Sequence, residues 1–141
     1  MQTQRSQTMA RFIGVMVLLW LAVLPACQFK FSTANIGTVT LSRDYRDGKA
    51  VDPTERFSPQ NHTFHAVVKV NNAPAGTVVG TNWTVLDDGE EVVYSKEITL
   101  DGDQDFAHFN LSNTQDWESG TYHVEITLDG KAKRTLDFQV L

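Results

Sequence analysis

Cysteine is almost absent from this sequence: Cys27 is the only one among 141 residues. One cysteine excludes an intramolecular disulfide, and no cysteine–histidine cluster has the spacing of a zinc site. No Gly-x-Ser-x-Gly elbow, phosphate-binding glycine loop or His-Glu-x-x-His motif occurs either. We therefore expect a protein that is not an enzyme and has no cofactor.

Basic residues are also scarce, with 12 Lys and Arg against 17 Asp and Glu. Arg5 and Arg11 are the only charged residues among the first 27, so residues 28–141 hold 12 − 2 = 10 basic and 17 acidic side chains, a charge of −7. Phosphate binding needs clustered Lys and Arg. The balance argues against a nucleic-acid partner and against charge-driven binding to anionic lipid.

The one long apolar run lies near the N-terminus, at residues 12–23, and its 12 residues match a signal-peptide core better than a membrane span. It ends in Leu24, Pro25, Ala26 and Cys27. This tetrapeptide resembles the lipobox of bacterial lipoproteins, although Pro25 departs from the usual small or aliphatic residue. The resemblance implies lipidation of the Cys27 thiol, cleavage before it and acylation of the new amino group, which together suffice for stable membrane anchoring.

The resemblance divides the chain into a signal peptide at 1–26, a lipidated cysteine with its tether at 27–35, and a globular domain at 36–141. It implies a cell-envelope protein, lipid-anchored to the outer face of a bacterial membrane. Gln28 is not acidic, which favours the outer over the inner membrane if the cell is Gram-negative. Ordinary cleavage after Ala26 and an uncleaved anchor over residues 12–26 remain open alternatives.

From residue 36 onward, apolar residues alternate with a period of two, and turn residues recur about every 8–12 positions, as in an all-β sandwich. Asp-Gly pairs at 88–89, 101–102 and 129–130 favour tight hairpins. Alternation places Trp83, Val92 and Tyr94 inward and Thr84 outward. We predict seven antiparallel strands, at 36–43, 63–71, 78–87, 91–100, 104–112, 120–128 and 133–140.

Trp83 lies in the middle of the third predicted strand, and Gly-Thr-Tyr-His-Val at 120–124 opens the sixth. This pattern resembles an immunoglobulin-like domain, which has a buried tryptophan on its third strand and a tyrosine corner on its sixth. The resemblance implies a seven-stranded sandwich in which Val68 and Val124 replace the disulfide. Residues 57–76 and 117–140 also resemble uncharacterised exported bacterial domains, for which no activity is implied.

Residues 44–62 form the longest predicted connection, and long connections are often functional. As a candidate ligand loop it offers aromatic and basic groups, and Trp117 in the loop at 113–119 offers a stacking surface. The candidate binding residues are therefore Tyr45, Arg46, Arg56, Phe57 and Trp117. The alternative that we favour is structural, with Phe57 closing one end of the core and Trp117 capping it.

Two groups could hold a metal ion. Asp101, Asp103 and Asp105 alternate in a way that can collect oxygens around Ca²⁺, but the EF-hand pattern fails at the following positions. His65 and His108 would face outward on neighbouring strands of an immunoglobulin-like sheet, as a weak Cu²⁺ or Zn²⁺ pair without a third ligand. We favour solvated side chains in both places.

Together these features predict a non-catalytic, membrane-anchored lipoprotein that acts as a binding or interaction module of the cell envelope, with a protein partner that the sequence does not identify. One alternative is a periplasmic metal-handling protein for Cu, Zn or Ca, because the Gly-x-Tyr-x-Val ending is similar to that of copper-resistance sandwiches. The other is an accessory subunit of an envelope complex that uses an exposed strand edge.

The substitution Cys27→Ala tests the anchor. We expect it to abolish the lipid-dependent gel shift and to move the protein from the membrane to the soluble fraction, because each buried CH₂ of the lipid contributes about 0.8 kcal/mol to anchoring. Fractionation of cells measures this, with Gln28→Ala as the control that keeps the thiol. Unchanged membrane partition of Cys27→Ala would contradict lipidation.

Overall fold

The computed structural model describes residues 32–141. The predicted signal peptide at 1–26, Cys27 and the first part of the tether lie outside the described residues. Between residues 32 and 141 the regular secondary structure consists of strands joined by turns and loops, with no helix. In that range no helix is therefore long and apolar enough to cross a membrane.

Nine strands make up the described part, so the all-β prediction is confirmed but the strand number is nine rather than seven. Each of the seven predicted segments contains one strand, and two further strands arise within residues 44–62. The strands are β1 (Asn35–Arg46), β2 (Lys49–Pro53), β3 (Arg56–Phe57), β4 (Thr63–Asn71), β5 (Val78–Val85), β6 (Glu91–Thr99), β7 (Phe106–Ser112), β8 (Gly120–Leu128) and β9 (Lys131–Val140).

The additional β2 strand follows from a turn at Asp47 and Gly48. Their φ angles are 50° and 75°, and two consecutive positive φ values are what a tight type I′ hairpin requires. Because Asp-Gly supplies these angles at low cost, β1 continues to Arg46 and β2 pairs back along it. Residues 44–62 are therefore an ordered hairpin followed by a short strand rather than a long loop.

The strands form two sheets, in the orders β2-β1-β4-β7 and β3-β9-β8-β5-β6. All paired neighbours are antiparallel except β3 and β9, which are parallel. Alternate residues of both sheets bury a single apolar core, so the architecture is sandwich-like. Its largest fully buried side chains are Trp83, Phe57, Phe64, Phe109, Phe138, Leu100 and Ile126.

Aromatic rings join the sheets inside this core. Phe64 of β4 lies 4.5 Å from Phe57 and 5.3 Å from Phe138, measured between ring centroids, and Trp83 lies 5.9 Å from Phe138. Pairs at such distances each contribute about 0.5–1.5 kcal/mol beyond their area burial. The Trp83 indole N–H is satisfied by the Thr81 hydroxyl at 3.2 Å, so the ring is buried without an unpaired donor.

Tyr122 fixes the corner where the loop at 113–119 enters β8. Its hydroxyl donates a hydrogen bond of 2.9 Å to the backbone oxygen of Glu118. Burial raises the pKa of the Tyr122 phenol, with smaller contributions from the Glu118 and Asp87 carboxylates, which keeps the donor proton in place. The ring stacks on Phe138 at 5.5 Å, so one side chain ties a loop to the core.

Three residues differ from their predicted faces. Val92 and Tyr94, predicted inward, are 58% and 41% exposed, and both lie on β6, which is the last strand of its sheet. Thr84, predicted outward, is buried, since its short side chain sits on a central strand directly opposite Val92 on one side and His123 on the other.

Trp83 and Tyr94 are cross-strand partners with opposite burial, and their alanine variants compare the two environments directly. We expect Trp83→Ala to lower the free energy of unfolding by about 3–5 kcal/mol, as for other buried large aromatics. Tyr94→Ala should cost less than about 1 kcal/mol because it removes an exposed cross-strand contact. Chemical denaturation measures both, and equal losses would contradict the assigned burial.

Candidate functional site

The structure brings His65 and His108 together on the outer face of the smaller sheet. His65 lies on β4 opposite Asn110, and His108 lies on β7 opposite Val67, so the two histidines are diagonal neighbours. The His65 Nδ1 and the His108 Nε2 are 2.9 Å apart, within hydrogen-bonding distance. One nitrogen must donate and the other accept, which suits two neutral rings or one neutral ring beside one charged ring.

The β1–β2 hairpin adds Tyr45 to this pair. The Tyr45 ring stacks on His108 with 3.6 Å between centroids and 7° between planes, and it lies 6.4 Å from His65. Next to it, the Arg46 Nε donates to an Asp44 carboxylate oxygen at 2.6 Å. Thus one of the predicted binding residues, Tyr45, contacts the two histidines predicted as a weak metal pair, and Arg46 next to it in sequence pairs with Asp44.

Burial is the main influence on the pKa values of the two imidazole rings. Desolvation lowers the pKa of His65, against an opposing contribution from the Asp44 carboxylate. Desolvation also lowers the pKa of His108, and the charges of His65 and Lys96 lower it further. Asp44 itself has a lowered pKa, because it accepts hydrogen bonds from Arg46 and from the Tyr45 backbone N–H. The pair therefore favours neutral rings at neutral pH.

Within residues 32–141, no three His, Cys, Asp or Glu side chains are grouped so that they could hold a metal ion. His65 and His108 form a pair without a third such ligand. Asp101, Asp103 and Asp105 are exposed in the turn before β7, where the Asp103 backbone N–H donates to the Asp101 carboxylate at 3.3 Å. That hydrogen bond is the ordinary self-capping of an aspartate turn.

The remaining predicted binding residues lie elsewhere. Phe57 is 2% exposed and contacts Phe64 in the core. Trp117 stacks on Phe64 at 4.8 Å, and its indole N–H donates to the Asn61 backbone oxygen at 2.9 Å. Arg56 is exposed on β3, and its backbone oxygen accepts a hydrogen bond of 2.8 Å from the Arg43 guanidinium. The five candidate residues therefore do not form one ligand surface.

Two loops are also held together beside Trp117 by a polar contact that sequence reasoning did not find. Asp116 accepts hydrogen bonds from the His62 Nε2 at 3.1 Å and from the Gln60 side-chain amide at 3.2 Å. These bonds lower the pKa of Asp116. Asp116 is 56 residues from Gln60 and 54 residues from His62 in the sequence, so no local pattern could have signalled the contact.

The most exposed apolar group of the described part lies on β6. Val92, Val93 and Tyr94 are 58%, 43% and 41% exposed. Among residues 32–141, β6 pairs with β5 only, which leaves its other backbone edge free of any described strand. A β-bulge interrupts its register, because Trp83 pairs with Tyr94 while Thr84 pairs with Val92. We refer to this strand edge, with these three residues, as the β6 edge.

Sequence reasoning missed the β6 edge because it assigned Val92 and Tyr94 to the core. The charged residues around the apolar segment, Glu90, Glu91 and Lys96, were the available signal, since natural edge strands carry charges that discourage aggregation. Alternation alone cannot distinguish a half-covered edge strand from a buried one.

Two concavities border the β6 edge. One, of about 410 Å³, lies over Gly80 between β6 and β8, where an added Cβ would clash with the Thr127 hydroxyl. The other, of about 370 Å³, lies at the beginning of β6 next to Val93 and Tyr122. Its acidic lining residues are Asp87, Asp88, Glu90, Glu91 and Glu118.

Comparison with protein-family models gives no match for this chain, and comparison with curated proteins gives none. The chemistry of the described surfaces therefore carries the functional argument.

The histidine pair makes stability depend on pH. In the unfolded chain both imidazoles titrate near about pH 6.5. Because their folded pKa values are lower, the unfolded state binds more protons, and their contribution to stability is complete above about pH 6.5 and lost as the pH falls toward the folded values. We expect the melting temperature to fall across this window.

Thermal melts of the wild type, H65Q/H108Q and the control H123Q, recorded between about pH 7.5 and about pH 5, measure this effect around the ordinary histidine pKa. The double variant should show a flatter profile than the wild type, and the control, which changes a histidine of the other sheet, should keep the wild-type slope. Parallel profiles for all three proteins would contradict the assignment.

Proposed function

We propose that this protein is a non-catalytic, lipid-anchored binding module of the bacterial cell envelope, whose domain is immunoglobulin-like. The lipobox resemblance at Cys27 supports the anchor and the location. The free, apolar β6 edge supports the binding role, and it is the single observation that carries the proposal.

Support for the immunoglobulin-like assignment comes from strand order. Without the short strands β2 and β3, one sheet contains β1, β4 and β7, and the other contains β9, β8, β5 and β6. An immunoglobulin-like sandwich likewise pairs its second and fifth strands in one sheet and its third, sixth and seventh in the other. In chain order without β2 and β3, the third strand is β5, and Trp83 is buried on it. Val68 and Val124 are buried at the positions where the two cysteines of an immunoglobulin domain would lie.

Support for binding at the β6 edge comes from comparing the four sheet edges. The β3 strand has two residues, and β2 has five and ends at Pro53, so both offer little backbone to a partner. The β7 edge has seven residues, of which only Phe106 is an exposed large hydrophobic. The β6 edge has nine residues and three exposed apolar side chains, which suits strand addition by a protein partner.

The accessory-subunit alternative uses the same surface, because a permanent neighbour in an envelope complex could pair with β6 as readily as a transient ligand. For the metal-handling alternative, the part of the chain that the structure describes supplies no third ligand beside His65 and His108. Protein binding at β6 is therefore the function that the described surfaces favour.

Photo-cross-linking in intact cells tests the proposal. A photoreactive amino acid placed at Val92 of the full-length protein should give an adduct with another envelope protein, because this side chain is the most exposed of the three apolar side chains on the β6 edge. The same group at Lys133, which is exposed on β9, is the control. Equal adducts from both positions, or none from Val92, would contradict the proposal.

A further inference from the structure

We infer that the β6 edge accepts an extended strand of another protein whose apolar centre is flanked by lysine or arginine side chains. This inference rests on the proposed binding function and specifies the chemistry of the partner. It follows from the charges at the two ends of β6.

The beginning of β6 is strongly acidic. Five carboxylates line the concavity of about 370 Å³ beside Val93, and no Lys or Arg lines it. Asp87 has a structural partner, because its carboxylate accepts the Thr121 backbone N–H at 3.1 Å. Within residues 32–141 the other four carboxylates form no side-chain hydrogen bond or ion pair, so their charge can interact with an incoming basic group. They belong to Asp88, Glu90, Glu91 and Glu118.

The end of β6 is acidic as well. The turn that follows it carries Asp101, Asp103 and Asp105, all exposed. Between the two ends lie the apolar residues of the β6 edge and the oppositely charged neighbours Lys96 and Glu97. A strand with an apolar centre and basic flanks therefore matches the apolar residues of β6 and its two acidic ends.

The same charges disfavour a second copy of this chain as the occupant. Antiparallel pairing of two β6 strands would place the acidic beginning of each strand against the acidic end of the other. Parallel pairing would place acidic beginnings together and acidic ends together. Both arrangements bring like charges into proximity, so a basic partner strand is the complementary choice.

The β6 edge also carries the protection that a selective binding strand needs. The bulge at Val93 and the charged residues Glu91, Lys96 and Glu97 interrupt a flat apolar edge, which limits indiscriminate pairing. The basic flanks of a partner strand neutralise the acidic residues that give part of this protection. Electrostatic complementarity then selects the partner while apolar contact and backbone pairing hold it.

Two synthetic peptides test the inference on the full-length protein in detergent. Both have an alternating Val-Thr centre, with paired lysines at each end of one and paired glutamates at each end of the other. We expect the lysine peptide to bind at least about tenfold more tightly in a fluorescence-anisotropy titration. The preference should shrink between about 0.05 M and about 0.5 M salt, because salt screens surface charges.

Charge variants locate the effect. E90K/E91K should reverse or abolish the preference for the lysine peptide, and the neutral E90Q/E91Q should weaken it if the reversed variant folds poorly. The control E55K/D137K changes the net charge equally at the opposite, β3–β9 side of the domain and should keep the preference. Circular dichroism verifies that each variant is folded.

Equal binding of the two peptides, binding of neither, or loss of the preference in E55K/D137K would overturn the inference. Self-association of the full-length protein that E90K/E91K alters would identify a second copy as the occupant and overturn it too. The proposed function fails separately, if Val92 captures no envelope protein in cells. Capture at Val92 without a lysine preference would leave the function standing and the partner chemistry wrong.

Discussion

The packing of Phe64 is the interaction on which the rest of the domain depends. Its ring contacts Phe57, Trp117, Tyr122 and Phe138, so one side chain of β4 links its sheet to β3, to β8 and β9, and to the loop at 113–119. Such rings bury large apolar areas and prefer tilted or offset contacts, which restrict how the two sheets can sit together. Two aromatic residues considered as ligand-binding groups, Phe57 and Trp117, are occupied in this way.

The same core explains why apolar side chains are left exposed on β6. The aromatic contacts concentrate on β4, β8 and β9, and β6 is separated from β8 by β5. Only Ile98 of β6 packs against the core as a partly buried residue. Apolar residues at the opposite end of the strand thus contribute little to folding, and Tyr94 is exposed although its cross-strand partner Trp83 is fully buried.

Local sequence patterns predicted most of the fold, because each strand shows apolar residues with a period of two and is bounded by turn residues. The predicted segments at 63–71 and 120–128 match β4 and β8 residue for residue. The hairpin at Asp47 and Gly48 was predictable from the same Asp-Gly signal, but the charged and proline-containing surroundings favoured a loop. The stacking of Tyr45 on His108 and the exposure of Val92 were not predictable, because they depend on which strands meet across space and on which strand ends a sheet. The alternation of apolar and polar residues separates the two faces of a strand, but it does not show which other elements cover each face.

The apolar and the charged residues on β6 have opposite effects on its association with other chains. Exposed valines beside a free backbone edge would promote pairing with any extended chain, including another copy of this domain. The carboxylates at both ends of the strand oppose that association through like-charge repulsion, at a cost that a chain with basic flanks does not incur. For a domain of net negative charge, the acidic ends therefore serve solubility and partner choice at once.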